Sequence, residues 1–180
     1  MEKQTSNPEE NRPDYRSGVL SKINTKFFRE VKAKSSIEGG ETGEEFTGNL
    51  LVPGDSPGNK WYDPYNHATW IELNLTSPRE VAMFGLKSAN DCPERDPSFF
   101  SFYGISETGQ KFLLYSASEV EFEERYQWKM FIFNNYHEVR AFPTYFLDIC
   151  KNKNFDQEGN WGSGTQLAEI ALYEPSITSK

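Results

Sequence analysis

Apolar side chains recur at every second position along much of this chain, and this spacing limits the folds open to it. In residues 69–75, Ile71, Leu73 and Leu75 fall on one side and the residues between them on the other. Residues 126–133 alternate in the same way. Successive side chains of a strand point to opposite faces of a sheet, whereas a helix repeats about every 3.6 residues. The sequence therefore predicts a chain made mostly of β-strands.

About eight short strands are expected, separated by turn and loop signals. Seven of them fall at residues 69–75, 81–86, 99–105, 111–115, 126–133, 144–150 and 165–173. Ser77-Pro78 separates the first two runs, whose closeness in sequence predicts adjacent antiparallel strands. Residues 44–51 have room for one helical turn. This pattern is typical of an all-β antiparallel sandwich or jelly roll, in which two sheets cover each other's apolar faces.

The length and the polar ends of the chain indicate one domain between two tails. A chain of 180 residues is of ordinary size for a single domain. We expect a flexible arm at residues 1–16, the sandwich at residues 17–174 and a short tail at residues 175–180. Aromatic residues make up 15% of the chain, which favours strands over helices.

Charge and cysteine usage narrow the function classes. The net charge of −8 repels phosphate backbones, so we expect no nucleic-acid partner. The sequence shows no apolar signal segment and no apolar run of membrane-spanning length, so we expect no membrane insertion. Cys92 and Cys150 match no metal-binding spacing and are expected to be reduced thiols. These features predict a cytoplasmic protein.

The sequence contains no recognisable catalytic motif. His67 and His137 are its two histidines, and neither lies beside a nucleophile motif or in a zinc-protease motif. Nothing marks Cys92 as an activated thiol. We therefore expect a non-catalytic protein.

A series of short motifs in a fixed order resembles one known superfamily. The motifs are NLL at 49–51, NKW at 59–61, WIEL at 70–73, FGLKSAND at 84–91, RDP at 95–97, FYG at 102–104 and QLAEI at 166–170. The chain is similar over about residues 30–174 to the galactose-binding-like superfamily, in particular to discoidin and coagulation-factor (F5/8) type C domains. The resemblance implies a jelly-roll sandwich whose ligand loops gather at one end.

The resemblance leaves the ligand open. Members of the superfamily share a scaffold but bind sugars, phospholipid head groups, collagen or protein partners, so the fold alone does not identify the ligand. Many secreted members carry cysteines near both ends of the domain. Here Cys92 lies in a mid-chain loop and Cys150 in a late strand, which argues against an extracellular role.

The segment 90–97 is the first candidate for a ligand site. Asn90, Asp91 and Arg95 would offer amide, carboxylate and guanidinium groups to hydroxyls or to charges of a partner. The alternative is a structural corner in which Arg95 pairs with Asp91 or Asp96, while the Asn and Asp side chains cap backbone amides.

Aromatic residues in loops are the second candidate. Trp61 is expected in the core, because the corresponding position of the superfamily packs inward. Tyr62 and Tyr65, just beyond it, are expected to be exposed and able to contact a ligand. Trp161 lies in the glycine-rich run 158–164 and is expected to be exposed as well.

The resemblance also raises the question of a calcium ion. Some relatives hold one between an early Gly/Asp loop and a glutamate of the last strand, which correspond here to Asp55 and Glu169. Calcium prefers several oxygen ligands, and Lys60 near the loop would oppose a cation. We therefore expect no cofactor, with calcium at Asp55 and Glu169 as the alternative.

These observations favour a binding module over an enzyme. The leading hypothesis is an intracellular protein-interaction subunit of a larger assembly. The alternative is a lectin-like carbohydrate-binding domain, which would need exposed aromatic residues beside polar groups at one end of the sandwich.

Overall fold

A computed structural model describes residues 19–34, 45–133, 140–153 and 164–176 of the chain. The predicted arm at residues 1–16 and Trp161 lie outside these ranges. No helix within the described ranges is long and apolar enough to cross a membrane. Cys92 and Cys150 are not bonded to each other.

The described residues form eleven strands and three short 3-10 helices. The strands are β1 (Leu20–Lys22), β2 (Phe28–Ala33), β3 (Trp61–Asp63), β4 (Thr69–Glu80), β5 (Met83–Lys87), β6 (Pro97–Ile105), β7 (Lys111–Ala117), β8 (Trp128–Ile132), β9 (Ala141–Asn152), β10 (Thr165–Leu167) and β11 (Glu169–Pro175). The 3-10 helices are Thr25–Phe27, Thr47–Leu51 and Pro93–Arg95. The strand count exceeds the expected eight because β1, β3 and β10 have only three residues each.

The strands pair into three antiparallel sheets. One sheet has the order β1-β11-β5-β8, the second has the order β2-β4-β9-β6-β7, and β10 pairs with β3. The first and last strands of this set are neighbours, and the Ser176 amide donates to the Val19 carbonyl at 2.8 Å. The predicted all-β antiparallel sandwich is confirmed.

The core lies between the two larger sheets and is dominated by aromatic rings. Phe84 on β5 stacks on Phe102 of β6 with ring centroids 4.2 Å apart and on Phe131 of β8 at 4.9 Å. Ile71 and Leu73, on the face of β4 that the alternation singled out, are fully buried. Packed aromatic pairs stabilise a core beyond the area that they bury.

The predicted pairing of the runs 69–75 and 81–86 is wrong. β4 belongs to the five-stranded sheet, whereas β5 belongs to the four-stranded sheet. The chain passes from one sheet to the other at Val81 and Ala82, which are both buried. The Tyr145 hydroxyl secures this crossing, because it accepts a hydrogen bond from the Val81 amide at 3.1 Å. The two strands are therefore close in sequence but lie on opposite sides of the core.

Truncating Phe84 tests this description of the core. We expect Phe84→Ala to lower the free energy of unfolding by about 3–5 kcal/mol, because the cavity removes several ring contacts at once. Val19→Ala, at a strongly exposed position, should change it by less than about 0.5 kcal/mol. Urea unfolding followed by fluorescence measures the free energy of unfolding of both variants. Equal losses in the two would contradict the placement of Phe84 at the centre of the core.

Candidate functional site

The site is built on the short β3–β10 pair. Trp61 on β3 is fully buried, as the sequence predicted. Tyr62 is also buried, with 7% of its surface exposed, so the expectation of an exposed Tyr62 is wrong. The reason lies in its neighbours: Gln166 is its partner on β10, and a Cβ at Gly164 would lie 2.5 Å from the Tyr62 ring. One face of this ring is covered by Arg95 of the segment 90–97.

Lys60 ties the segment 90–97 to this pair. Its ammonium, on a residue only 3% exposed, lies 2.8 Å from Asp91 Oδ1, 3.0 Å from Gln166 Oε1 and 3.4 Å from Glu45 Oε1. The Gln166 amide donates to the Asp91 carbonyl at 2.6 Å. Partial burial raises the pKa of the Asp91 carboxyl, but the hydrogen bond and charge of Lys60 outweigh it, and the net pKa is lowered.

Arg125 holds the other end of the same segment. Its guanidinium forms a bidentate salt bridge with the buried Asp96 carboxylate and also donates a hydrogen bond to the Asp91 backbone carbonyl at 3.1 Å. Burial raises the pKa of the Asp96 carboxyl, and Arg125 only partly offsets that effect. Two cations from distant parts of the chain therefore neutralise the two aspartates.

The Arg95 side chain makes no hydrogen bond within the part of the chain that the structure describes. Arg95 forms no salt bridge with Asp91 or Asp96 as the alternative reading expected, because Lys60 and Arg125 take the contacts with these carboxylates. Its charge acts on Asp91 only at longer range. The Arg95 guanidinium instead lies over the Tyr62 ring, with Cζ 4.5 Å from the ring centroid. Its Nε is buried without a hydrogen-bond partner among the described residues. A guanidinium offers five N–H donors in a planar fork. This one stacks on Tyr62, and its charge also helps to lower the pKa of the Asp91 carboxyl.

Two further residues of the segment are unusual. The Asn90 Oδ1 atom is buried and accepts no hydrogen bond from a described residue, so the predicted capping by this side chain is wrong. Cys92 adopts a left-handed backbone with φ of 42° just before the helix Pro93–Arg95. A non-glycine residue in that region costs free energy, and such strain is common at functional sites.

Tyr65 is the exposed aromatic residue that the sequence predicted. It is 66% exposed and lies on a turn organised by Asp63. The Asp63 carboxylate accepts hydrogen bonds from the Tyr65 amide at 3.2 Å, from Asn66 Nδ2 at 2.9 Å and from Thr69 Oγ1 at 2.8 Å. The turn follows β3 directly, so Tyr65 is held on an ordered support.

The residues suggested for calcium do not fit the ion. Lys87 Nζ lies 2.6 Å from Asp55 Oδ1, and Lys22 Nζ lies 2.7 Å from Glu169 Oε1. Each carboxylate thus faces an ammonium group, whereas calcium takes about six to eight oxygen ligands. Within the described ranges, no group of three or more His, Cys, Asp or Glu side chains is placed to hold a metal ion. The opposing lysines are Lys22 and Lys87 rather than the expected Lys60.

No family model matches the chain, and no curated protein matches it either.

Comparisons with solved structures show the fold. The chain is similar to the family 32 carbohydrate-binding module of NanJ from C. perfringens in complex with galactose, with a TM-score of 0.64 and 13% identity over 87% of this chain and 100% of that one. It is also similar to a lectin binding domain of lectinolysin complexed with Lewis b, with a TM-score of 0.65 and 12% identity over 88% of this chain and 100% of that one. An F5/8 type C domain from Bacteroides fragilis has a TM-score of 0.63 and 11% identity, over 88% of this chain and 98% of that one. The chain therefore has the galactose-binding-like, discoidin-type β-sandwich fold, as the resemblance predicted.

Sequence reasoning missed the two cations that shape the site. Lys60 stands in the NKW motif and was expected only to oppose a calcium ion, not to bind Asp91. Arg125 is a single basic residue at the end of the acidic run 119–124. An isolated cation beside many carboxylates was the available signal, but the sequence could not show which carboxylate it meets.

Breaking the Arg125–Asp96 pair tests the support of the site. We expect Arg125→Ala to lower the free energy of unfolding by about 3–5 kcal/mol, because a buried carboxylate loses its partner. The pKa of Asp96 should rise further, so the variant should become less stable as the pH rises through that pKa and the unpaired carboxylate ionises. Lys129→Ala, which breaks the more exposed pair with Glu123, should cost no more than about 1 kcal/mol. Carboxyl NMR titration and urea unfolding measure these effects, and equal losses in the two variants would contradict the assignment.

A calcium titration tests the lysine pairs. We expect millimolar calcium chloride to leave the Tm of the protein unchanged relative to a chelator-treated sample, because Lys22 and Lys87 already neutralise Glu169 and Asp55. Differential scanning calorimetry provides the measurement, with magnesium chloride as the control for ionic strength. A calcium-specific rise in Tm would show that the ion displaces the lysines.

Proposed function

We propose that this protein is a non-catalytic carbohydrate-binding module and that the surface formed by Arg95, Asn90, Asp91 and the Tyr62–Tyr65 region holds the sugar. The observation that carries the proposal is the Arg95 guanidinium, which is stacked on Tyr62 and makes no hydrogen bond to a described residue. Stacking fixes its orientation, so its donors are arranged before a ligand arrives.

The chemistry of these groups suits sugar hydroxyls. A hydroxyl can accept a hydrogen bond and donate one at the same time. Arg95 supplies donors, and the second carboxylate oxygen of Asp91, whose side chain is 44% exposed, supplies an acceptor. Charged groups strengthen such hydrogen bonds. The exposed ring of Tyr65 adds an apolar face of the kind against which sugar rings pack.

The thiol in this segment supports a binding role over a catalytic one. Burial raises the pKa of Cys92, and the nearby Arg95 charge does not reverse the effect. The thiolate is the reactive form of cysteine, so a raised pKa leaves the group a poor nucleophile at neutral pH.

The solved structures with this fold lend support to the carbohydrate reading. The NanJ module was solved in complex with galactose, and the lectinolysin domain was complexed with Lewis b. Of the two roles expected from the sequence, carbohydrate binding is therefore the better supported. The protein-interaction role in an intracellular assembly and the cytoplasmic location remain predictions.

Substitution of Arg95 tests the proposed function. We expect the wild-type protein to bind defined glycans on an array. Arg95→Ala should weaken that binding about tenfold or more, because hydrogen bonds to a charged group contribute about 1.5–3 kcal/mol. Arg95→Lys should also bind more weakly, because it keeps the charge but loses the planar fork. Calorimetric titration with the strongest array hit measures the affinities.

The matched control is Arg29→Ala, at an exposed arginine of β2, which should bind like the wild type. The proposal is wrong if the wild-type protein binds no glycan on the array, or if Arg95→Ala binds as tightly as Arg29→Ala.

A further inference from the structure

Within residues 19–34, 45–133, 140–153 and 164–176, strand β8 has an open edge. It stands last in the order β1-β11-β5-β8 and pairs there on one side only, with β5. The Ser88 amide donates to the Gln127 carbonyl, and the Phe133 amide donates to the Ala82 carbonyl. Because hydrogen-bonded and non-hydrogen-bonded positions alternate in an antiparallel ladder, the odd-numbered residues of β8 bond to β5. The amide and carbonyl groups of residues 128, 130 and 132 therefore point away from the sheet.

The outer side of this edge strand is apolar. Met130 is 41% exposed and Ile132 is 56% exposed. They alternate with Phe131, which points into the core and stacks on Phe84. Proteins usually protect an open edge with charges, prolines or a covering loop, because its unpaired backbone groups can pair with another chain. Two large exposed apolar side chains on such an edge favour the addition of a strand instead.

The inner side of the same edge opens into an acidic cavity of about 880 Å³. Lys129 and Phe131 of β8 line it on one side, with Phe99, Val120 and Lys153 among the other lining residues. Its carboxylates are Glu119, Glu121 and Glu123. Glu123 pairs with Lys129 at 3.1 Å and Glu121 with Lys153 at 3.6 Å, while Glu119 has no ion pair with a described residue. Three glutamates and two lysines leave the lining with one net negative charge, that of Glu119, beside an apolar wall.

We propose that this edge binds an extended, basic segment of another protein, which adds a strand to β8. Side chains of a strand alternate between its two faces. Every second residue of the added segment would enter the cavity and meet Glu119 and Glu121, and these residues are lysine or arginine. The residues between them are apolar and cover Met130 and Ile132. Main-chain hydrogen bonds to β8 supply affinity, and the alternating pattern supplies specificity.

Charge favours this occupant over a second copy of the chain. Each copy carries a net charge of −8, so two copies repel each other, whereas a basic segment is attracted by the whole protein as well as by the cavity. This surface is formed by β8 and the 118–123 segment, and it includes none of the residues assigned to sugar binding.

A synthetic peptide provides the test. The probe is an acetylated and amidated octapeptide of alternating lysine and valine, labelled for fluorescence anisotropy. We expect saturable binding that weakens as salt is added, since the contacts are partly ionic. A glutamate–valine peptide should not bind. A lysine–valine peptide with N-methyl groups on the amides of one edge should bind at least tenfold more weakly, because it cannot complete the ladder.

Two variants locate the binding surface. Met130→Pro removes an amide that points away from β5, so the native ladder stays intact while the open edge loses a donor. Glu119→Gln/Glu121→Gln removes two cavity charges, and Glu30→Gln/Glu107→Gln removes two exposed charges elsewhere as the matched control. We expect the first two proteins to bind the probe at least tenfold more weakly than the control.

Several outcomes would overturn the proposal. The first is that the cavity variant and its control bind the probe equally well. The second is that the N-methylated peptide binds as tightly as the unmodified one. The third is that the protein forms a dimer which Met130→Pro abolishes and which the probe does not dissociate. Circular dichroism checks that each variant is folded, and the N-methylated peptide keeps the test decisive if Met130→Pro fails to fold.

Discussion

The buried ammonium of Lys60 is the interaction on which the site depends. It joins three parts of the chain that are distant in sequence, through Glu45, Asp91 and Gln166. A buried lysine is tolerated only when its charge is compensated and its donors are satisfied. Because Lys60 meets Asp91 and Arg125 meets Asp96, the one guanidinium inside the segment is left to lie on Tyr62. The availability of Arg95 is thus a consequence of charges satisfied elsewhere.

The alternation of apolar residues predicted the architecture well, because it records which face of each strand is buried. Ile71 and Leu73 are buried as that pattern required. The pairing of the strands was harder to predict from the sequence. The β4–β5 connection resembles a hairpin in sequence, yet it crosses between sheets, since nothing local distinguishes a short turn from a short crossing. Tyr62 was misjudged for a related reason: a three-residue strand is too short for alternation to indicate its exposed side.

The candidate site was found in part, with the right segment and the wrong contacts. Sequence reasoning assigned Arg95 to its nearest carboxylates, Asp91 and Asp96. The structure gives those carboxylates to Lys60 and Arg125, which approach from other strands and loops. Ion pairs between residues about thirty positions apart depend on the tertiary fold, and a single sequence contains no local signal for them. The exposed Tyr65 could be predicted because the turn that carries it is defined by its neighbours.

The pairing of β1 with β11 brings the two ends of the described domain together, with Val19 and Ser176 joined by a backbone hydrogen bond. The polypeptide thus enters and leaves the sandwich at one point. A unit of this kind can be spliced into a surface loop of a host protein without forcing the two halves of that loop apart. Joining its ends by a short linker and opening the chain at another turn should likewise preserve the fold. The pairing of β1 with β11 therefore makes the domain suited to insertion and to circular permutation.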